Sequence, residues 1–197
     1  MKCIVIYKSK YTGAVRRYAE YIAHRLSCRA VDVTQASEKD IEESDIVIYG
    51  GGIYAGAVAG SAFLNDHKAS LGEKKLIFFT CGMTDPENYG YFNAIASRNV
   101  PTGLLKNCFD FHFYGALDYS KLKFMDKMMI GFMVSSIKHK PREKLDEREK
   151  RLLELKKYPI DFVDLKSADL LIWRAQNINA PRPGFDDDDE EDDLYAD

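Results

Sequence analysis

Residues 3–15 read CIVIYKSKYTGAV, an apolar run that passes through a short polar turn into an amphipathic segment. Residues 2–7 are apolar after Lys2, which is typical of a strand buried on both faces of a parallel sheet. Residues 13–26 are predicted to form a helix, because apolar side chains recur three or four positions apart, at Val15, Tyr18, Ala19, Ile22 and Leu26. A strand followed at once by such a helix indicates the first unit of an α/β fold.

The same alternation continues along the chain. Further strands are predicted at residues 30–33, 45–49, 75–80 and 108–114, and further helices at residues 61–68, 89–97 and 158–176. Strands at this spacing that are linked by helices form an open parallel sheet with right-handed crossovers. We therefore predict an α/β fold with a doubly wound five-stranded parallel sheet in the order 2-1-3-4-5. Its ligand site is expected beyond the ends of the first and third strands.

A segment between the fifth strand and the last helix does not belong to such a minimal sheet. This insertion (about residues 115–157) begins with a Met-rich part at 121–137 that is predicted to be helical, and it continues with a densely charged part at 138–157. We predict that residues 1–180 form one domain that includes the insertion. Residues 181–197 are predicted to be a disordered acidic tail.

The composition is that of a soluble globular protein, with 46% hydrophobic and 30% charged residues. The net charge of −3 hides an uneven distribution, because nine of the 31 acidic residues lie within the last twelve positions. The remainder has 22 acidic residues against 28 Lys and Arg, a basic excess that suits a phosphate-bearing ligand or an anionic surface. The chain shows no signal peptide and no apolar run of about 20 residues, so we expect a cytoplasmic protein. Its four cysteines are widely spaced, and we expect their thiols to be reduced.

Three loops at the predicted carboxyl ends of strands carry residues that suit a ligand. The first leads into a helix N-terminus, where free N–H groups, hydroxyls and a lysine favour a phosphate; it comprises Ser9, Lys10, Tyr11, Thr12, Gly13, Ala14 and Val15. The second is glycine-rich, so that its backbone and an aromatic side chain can lie against a flat ring; its candidates are Ile53, Tyr54, Ala55 and Gly56. The third follows the fourth strand and comprises Cys81, Gly82, Met83, Thr84 and Asp85. The alternative interpretation of the first loop is a helix cap without a ligand.

These loops and the five-strand pattern resemble the flavodoxin family. Within this family, the chain looks most like the menaquinone-dependent protoporphyrinogen oxidase type, which carries a long insertion in the same place. In that type a motif similar to GALDY at 115–119 introduces the insertion, and a helix similar to FMDKMMI at 124–130 follows the motif. The resemblance implies that residues 9–15 hold the phosphate of FMN, while Tyr54 with its neighbours and the loop 81–85 flank the isoalloxazine. Val15 departs from the family pattern, which usually has Thr there, and Ala55 stands where a basic or larger residue is common.

The resemblance implies an FMN-dependent oxidoreductase that takes electrons from a small-molecule donor, such as a porphyrinogen, and passes them to a quinone. Two alternatives stay open: an electron carrier that docks on redox partner proteins, and a flavodoxin-like binding module that has lost FMN. We expect no catalytic side chain, no metal and no nucleic-acid partner. The Met-rich basic insertion completes the core, holds a flat hydrophobic carboxylate, or makes peripheral contact with the inner face of an anionic membrane. Its cations are Lys121, Lys123, Lys127, Lys138, Lys140 and Arg142.

Overall fold

The computed structural model describes residues 1–180, so the predicted tail at 181–197 lies outside the described residues. Over this range the central sheet contains five parallel strands, β1 (Cys3–Lys8), β2 (Arg29–Asp32), β3 (Ile46–Tyr54), β5 (Lys75–Gly82) and β6 (Cys108–Tyr114). They are arranged as β2-β1-β3-β5-β6, and the short strand β4 (Ala57–Val58) pairs antiparallel with the end of β3. Apart from β4 this is the predicted 2-1-3-4-5 order, and the α/β fold class is confirmed.

Helices cover both faces of this sheet. They are α1 (Ala14–Arg25), α2 (Glu38–Glu42), α3 (Ala62–Asp66), α4 (Lys68–Gly72), α5 (Tyr89–Asn99), α6 (Thr102–Leu105), α7 (Phe124–Lys138), α8 (Glu147–Leu153) and α9 (Asp169–Gln176). Side chains alternate between the two faces of a strand. In β1, Val5 packs into the core beneath α1 and α9, whereas Ile4 and Ile6 pack into the core on the opposite face. This two-sided burial explains why the central strands are apolar at nearly every position.

The insertion forms a third buried cluster at the carboxyl edge of the sheet. Its short strand β7 (Ala116–Leu117) pairs antiparallel with β8 (Ile160–Asp161), and α7 and α8 pack against this pair. The buried side chains of the cluster are Leu117, Leu122, Ile137, Leu145, Leu152, Leu155 and Ile160. Tyr11 from the first loop and Met83 from the third loop pack against them, so the insertion is in direct contact with the predicted ligand loops.

Two predicted helices are wrong in their extent. The helix predicted at 61–68 is interrupted at His67, and α3 and α4 lie on either side of it. The helix predicted at 158–176 begins only at Asp169, because residues 160–161 form β8 and the Asp164 carboxylate caps a 3-10 turn that precedes α9. On α9, Leu171 and Ile172 are buried, whereas Leu170 and Trp173 are exposed.

Part of the predicted glycine-rich loop belongs to a strand. β3 continues through Gly50, Gly51 and Gly52 to Tyr54, and a two-residue turn at Ala55 and Gly56 connects it to β4. Both turn residues have positive φ, at 56° and 78°, as a hairpin turn that matches the twist of its strands requires. The hairpin places Tyr54 at the carboxyl edge of the sheet.

Candidate functional site

The loop between β1 and α1 presents unpaired donors at the N-terminus of a helix. Tyr11 and Gly13 have positive φ, at 52° and 76°, and this turn brings the chain sharply into α1. Within the described part of the chain, the backbone N–H groups of Tyr11, Thr12, Ala14 and Val15 donate to no protein acceptor. Unpaired N–H groups together with the positive end of a helix dipole bind anions, and phosphate in particular.

Val15 contributes its backbone but not its side chain to this loop. Its side chain is buried in the core beneath α1, next to Tyr18. The hydroxyl that a threonine would supply at this position is therefore replaced by apolar packing, while the N–H group at the helix N-terminus is retained. Ser9 accepts a hydrogen bond from the N–H group of Arg16 at 3.3 Å, which fixes the outer side of the turn.

The hairpin that follows β3 forms a second wall next to this loop. The ring of Tyr54 folds back over Gly52, where any side chain would collide with it. Tyr11 meets Tyr54 edge to face with 5.7 Å between ring centroids, and the Lys10 ammonium lies 4.5 Å from the centre of the Tyr54 ring. Burial raises the pKa of the Tyr54 phenol, so this side chain is neutral at physiological pH.

The third wall is formed by Cys81 and Gly82, which end β5, and by the loop that follows them. The carbonyl of Gly82 accepts a hydrogen bond from the Gly115 N–H at 2.8 Å, which joins this loop to the start of the insertion. Cys81 is buried beneath the loop, and burial raises the pKa of its thiol. A neutral buried thiol is a poor nucleophile, so Cys81 serves as packing here.

Helix α7 covers the space between the three walls. Its side chains Met129, Ile130 and Met133 line the cleft from above, and Leu117 and Leu122 close one end. Two contacts join this cover to the first loop: the Tyr11 hydroxyl donates to the Asp126 carboxylate, and the Thr12 hydroxyl donates to the Ala116 carbonyl at 3.0 Å. The resulting cleft has a volume of about 200 Å³ and mostly apolar walls.

All the predicted site residues except Ser9, Gly13 and Asp85 line this cleft. Ser9 and Gly13 line a shallower depression on the other side of Lys10 and Tyr11, together with Arg16 and Gln35. Asp85 does not line the cleft: its carboxylate forms an ion pair with Arg148 of α8 at 2.6 Å. The ion pair instead fastens the third loop to the insertion.

Sequence reasoning missed the part of the site that the insertion contributes. From the insertion, the cleft is lined by Asp126, Met129, Ile130 and Met133 of α7 and by Gly115, Ala116, Leu117 and Leu122. Gly52 of β3 and Tyr91 of α5 also line it and were not predicted. The signal in the sequence was the Met-rich helical segment, since flexible apolar side chains are common at binding surfaces. Its position over the cleft depends on contacts with residues more than a hundred positions away, such as Tyr11 with Asp126.

His112 lies beneath the third loop and is held in its neutral form. Its Nδ1 is 2.8 Å from the Thr80 hydroxyl, and its ring stacks on Phe92 at 3.7 Å between centroids. Among residues 1–180, its buried Nε2 has no hydrogen-bond partner. Burial lowers the pKa of His112 to about 3, against roughly 6.5 for an exposed histidine. Gly82 of the third loop lies directly over this ring.

We expect His112 to make the fold sensitive to acid. Because the unfolded chain binds a proton at this histidine below about pH 6.5 and the folded chain binds it only near pH 3, stability falls as the pH drops through that interval. At pH 4.5 the loss is of the order of 2 kcal/mol. Denaturant unfolding of His112→Phe between pH 7 and pH 4.5 should show a weaker loss than the wild type.

The matched control is His24→Gln, since His24 is exposed on α1. This variant should lose stability with pH as the wild type does. If His112→Phe and the wild type lose the same free energy of unfolding over this range, the burial of a neutral His112 is not the source of acid sensitivity.

Comparison with known proteins supports the family assignment. A family model described as a flavodoxin domain matches residues 4–144, which is more than half of the chain. A comparison with curated proteins gave no match. Within residues 1–180, no helix combines the length and the apolar character needed to cross a bilayer.

Solved structures that are similar to this chain include flavodoxins and a related flavoprotein. A flavodoxin from the domain Archaea shares 12% identity, with 66% of this chain and 90% of that chain covered and a TM-score of 0.40. The Megasphaera elsdenii flavodoxin shares 16% identity (55% and 84% covered, TM-score 0.42), and a WrbA-like flavodoxin from Agrobacterium tumefaciens shares 16% (71% and 99% covered, TM-score 0.41). These scores are low, and the assignment rests on the family model. On the match over residues 4–144, the chain belongs to the flavodoxin family.

Proposed function

We propose that this chain binds FMN and acts as an oxidoreductase that takes electrons from a small apolar donor of the porphyrinogen class and passes them to a quinone. The observation that carries this proposal is the covered apolar cleft beside a helix N-terminus with unpaired N–H groups. One end of the site suits a phosphate and the other suits flat apolar rings, which is the division that FMN requires.

The residues present fit FMN at the phosphate end without rearrangement. Among residues 1–180, four N–H groups of residues 11–15 have no protein acceptor, and Lys10 adds a positive charge beside them. At the ring end, the cleft of about 200 Å³ is smaller than the roughly 300 Å³ at the lower limit of small-molecule sites. A three-ring group therefore enters this space only when Tyr54 or helix α7 moves outwards.

When bound, FMN supplies the redox chemistry, which transfers two electrons and two protons from the donor to the quinone. The chain itself has the tasks of binding and enclosing. The first loop holds the phosphate, Tyr54 and the Cys81–Met83 backbone line the two sides of the ring space, and α7 excludes water from above. Tyr54 and Cys81 are kept neutral by burial, so we assign neither of them a proton-transfer role.

The cover formed by α7 favours an enzyme over an electron carrier. A carrier must leave an edge of its flavin accessible to a partner protein, whereas the Met129, Ile130 and Met133 side chains lie across this cleft. Flexible methionine side chains adapt to flat apolar molecules of different shapes. This property suits a site that a porphyrinogen donor and a quinone acceptor occupy one after the other.

The first test is an absorbance spectrum of the purified protein and a fluorescence titration of the apoprotein into FMN. We expect flavin bands and quenched, saturable binding. The FMN-loaded protein should then be reduced by a porphyrinogen without oxygen and reoxidised by a quinone analogue, with no partner protein present. Turnover that requires a partner protein would support the electron carrier instead, and unquenched FMN would support the module that has lost its flavin.

The hydrogen bond between Tyr11 and Asp126 is expected to slow the entry of FMN. It joins the first loop to the covering helix, and a hydrogen bond to a charged group contributes about 1.5 kcal/mol. Tyr11→Phe, which keeps the ring and removes only the hydroxyl, should raise the association rate of FMN about tenfold if the helix must open first. Stopped-flow quenching of FMN fluorescence measures this rate.

Asp126→Ala is the matched variant on the other side of the contact. Because each substitution removes the same hydrogen bond, the double variant should bind FMN no faster than either single variant. If the rate increases of the two single variants combine independently in the double variant, or if all variants associate at the wild-type rate, this contact does not limit the entry of FMN.

A further inference from the structure

Helix α7 exposes a continuous apolar face on the side opposite the cleft. Phe124, Met125 and Phe132 are 74%, 68% and 71% exposed, and Met128 and Met129 are each 44% exposed. Positions 124, 125, 128 and 132 are one, three or four residues apart, so these four side chains share one face of the helix, and Met129 lies between that face and the cleft. Contiguous apolar surface of this kind on a folded protein marks an interaction site.

Core packing accounts only for the other face of the helix. Ile137 is buried in the third cluster, and Ile130 and Met133 pack against that cluster. Asp126 also points inward, since its carboxylate accepts the hydrogen bond from Tyr11. The face of α7 that carries Asp126, Ile130, Met133 and Ile137 (the inner face) therefore completes the core. The exposed face that carries Phe124, Met125, Met128 and Phe132 (the outer face) does not.

Positive charge borders the exposed face. Lys123 lies just before the helix, Lys127 lies on its flank and Lys138 is its last residue. Among residues 1–180, none of these three lysines has a carboxylate within ion-pair distance, whereas Lys121 and Lys140 are paired with Asp118 and Glu149. An apolar helical face with a basic border matches the surface of an anionic bilayer.

The dimensions of the helix fit a surface position. Fifteen residues at 1.5 Å each span about 22 Å, which is short of the roughly 30 Å of a bilayer core. A second copy of this chain is a poorer partner, because a two-fold contact through this face would bring the same basic border onto both sides. We propose that the outer face of α7 binds the surface of an anionic lipid bilayer, with its phenylalanine and methionine side chains inserted between the headgroups.

The test is vesicle flotation of the full chain. Two preparations are compared, vesicles of phosphatidylcholine alone and vesicles of phosphatidylcholine mixed with phosphatidylglycerol. We expect binding to the mixed vesicles that weakens with salt. The double substitution Phe124→Ser and Phe132→Ser should weaken this binding at least tenfold, and Lys123→Glu with Lys138→Glu should weaken it to a similar extent and remove most of the salt dependence.

Leu170→Ser is the matched control, because Leu170 is 63% exposed on α9 and lies in a different part of the fold. It should bind vesicles as the wild type does. The replaced side chains are exposed, so circular dichroism and thermal unfolding should stay close to the wild type in every variant.

Three results would overturn the proposal: no flotation with either vesicle, flotation that the Phe124 and Phe132 substitutions do not change, or a dimer in solution that these substitutions dissociate. The assay needs no bound FMN and no turnover. Its outcome is therefore independent of the proposed redox function.

Discussion

Replacement of Gly13 by aspartate is expected to weaken FMN binding about a hundredfold or more. Gly13 immediately precedes α1, next to the unpaired N–H groups of Ala14 and Val15. A carboxylate at residue 13 would lie close to a phosphate bound by these N–H groups, and two like charges about 4 Å apart near a protein surface repel by a few kcal/mol. The change is measured as the Kd for FMN from fluorescence quenching.

Comparison of Gly13→Asp with Gly13→Asn separates the effect of the added charge from the effect of the added side chain. Gly13 has a φ of 76°, which glycine adopts freely and which asparagine and aspartate tolerate best among the other residues. A Cβ atom at this position meets no atom of residues 1–180 within 4 Å, so both side chains have room. Gly13→Asn, which has nearly the same shape without the charge, should weaken binding by about tenfold at most.

Equal effects of the two substitutions would mean that backbone strain, and not charge, controls the site. Wild-type affinity in both variants would place the phosphate away from this helix N-terminus. Thermal unfolding without FMN should be similar for the two variants, which ensures that the comparison reports on binding.

Gly50→Ala is expected to destabilise the fold by about 3 kcal/mol, the upper part of the usual range for overpacked cores. Gly50 pairs with Phe79 across β3 and β5, and the Phe79 ring lies directly over it. A Cβ atom on residue 50 would come within 2.0 Å of the Phe79 ring. Phe79 is fully buried beside Phe113, so its ring has no free space into which it can move.

Chemical denaturation of the apoprotein measures this loss, and two variants make the result specific. Gly103→Ala lies in α6 with no atom near its Cβ, and it should raise stability by about 0.5–1 kcal/mol through backbone entropy alone. Phe79→Leu combined with Gly50→Ala should be less destabilising than the sum of the two single changes, because the smaller side chain relieves the collision. A Gly50→Ala protein as stable as the wild type would contradict the packing described here.

The strands were the most predictable part of this protein. A strand in the middle of a parallel sheet is covered on both faces, so Ile4, Val5 and Ile6 must all be apolar, and this local pattern is visible without the fold. The first loop was predictable for a similar reason. Its position between a buried strand and an amphipathic helix already implies a helix N-terminus with free N–H groups.

The conformation of the glycine run at 50–52 could not be predicted from the neighbouring sequence. Glycine is rare inside strands, so the sequence favours a loop there. In the structure these residues continue β3, because the Phe79 ring occupies the space over Gly50, and Val58 and the backbone of Ala59 occupy the space over Gly51. The cause is a set of neighbours on β4 and β5, which no window of sequence around residue 50 contains.

By itself, the sequence determined the five parallel strands and the loops at their carboxyl ends, because burial on two faces and helix N-termini leave local patterns. The tertiary structure alone decided how the insertion uses its apolar residues. Helix α7 carries large apolar side chains on all sides, so its sequence does not say which face is buried. Contacts with distant residues, Asp126 with Tyr11 and Arg148 with Asp85, place one face over the cleft and leave the other exposed.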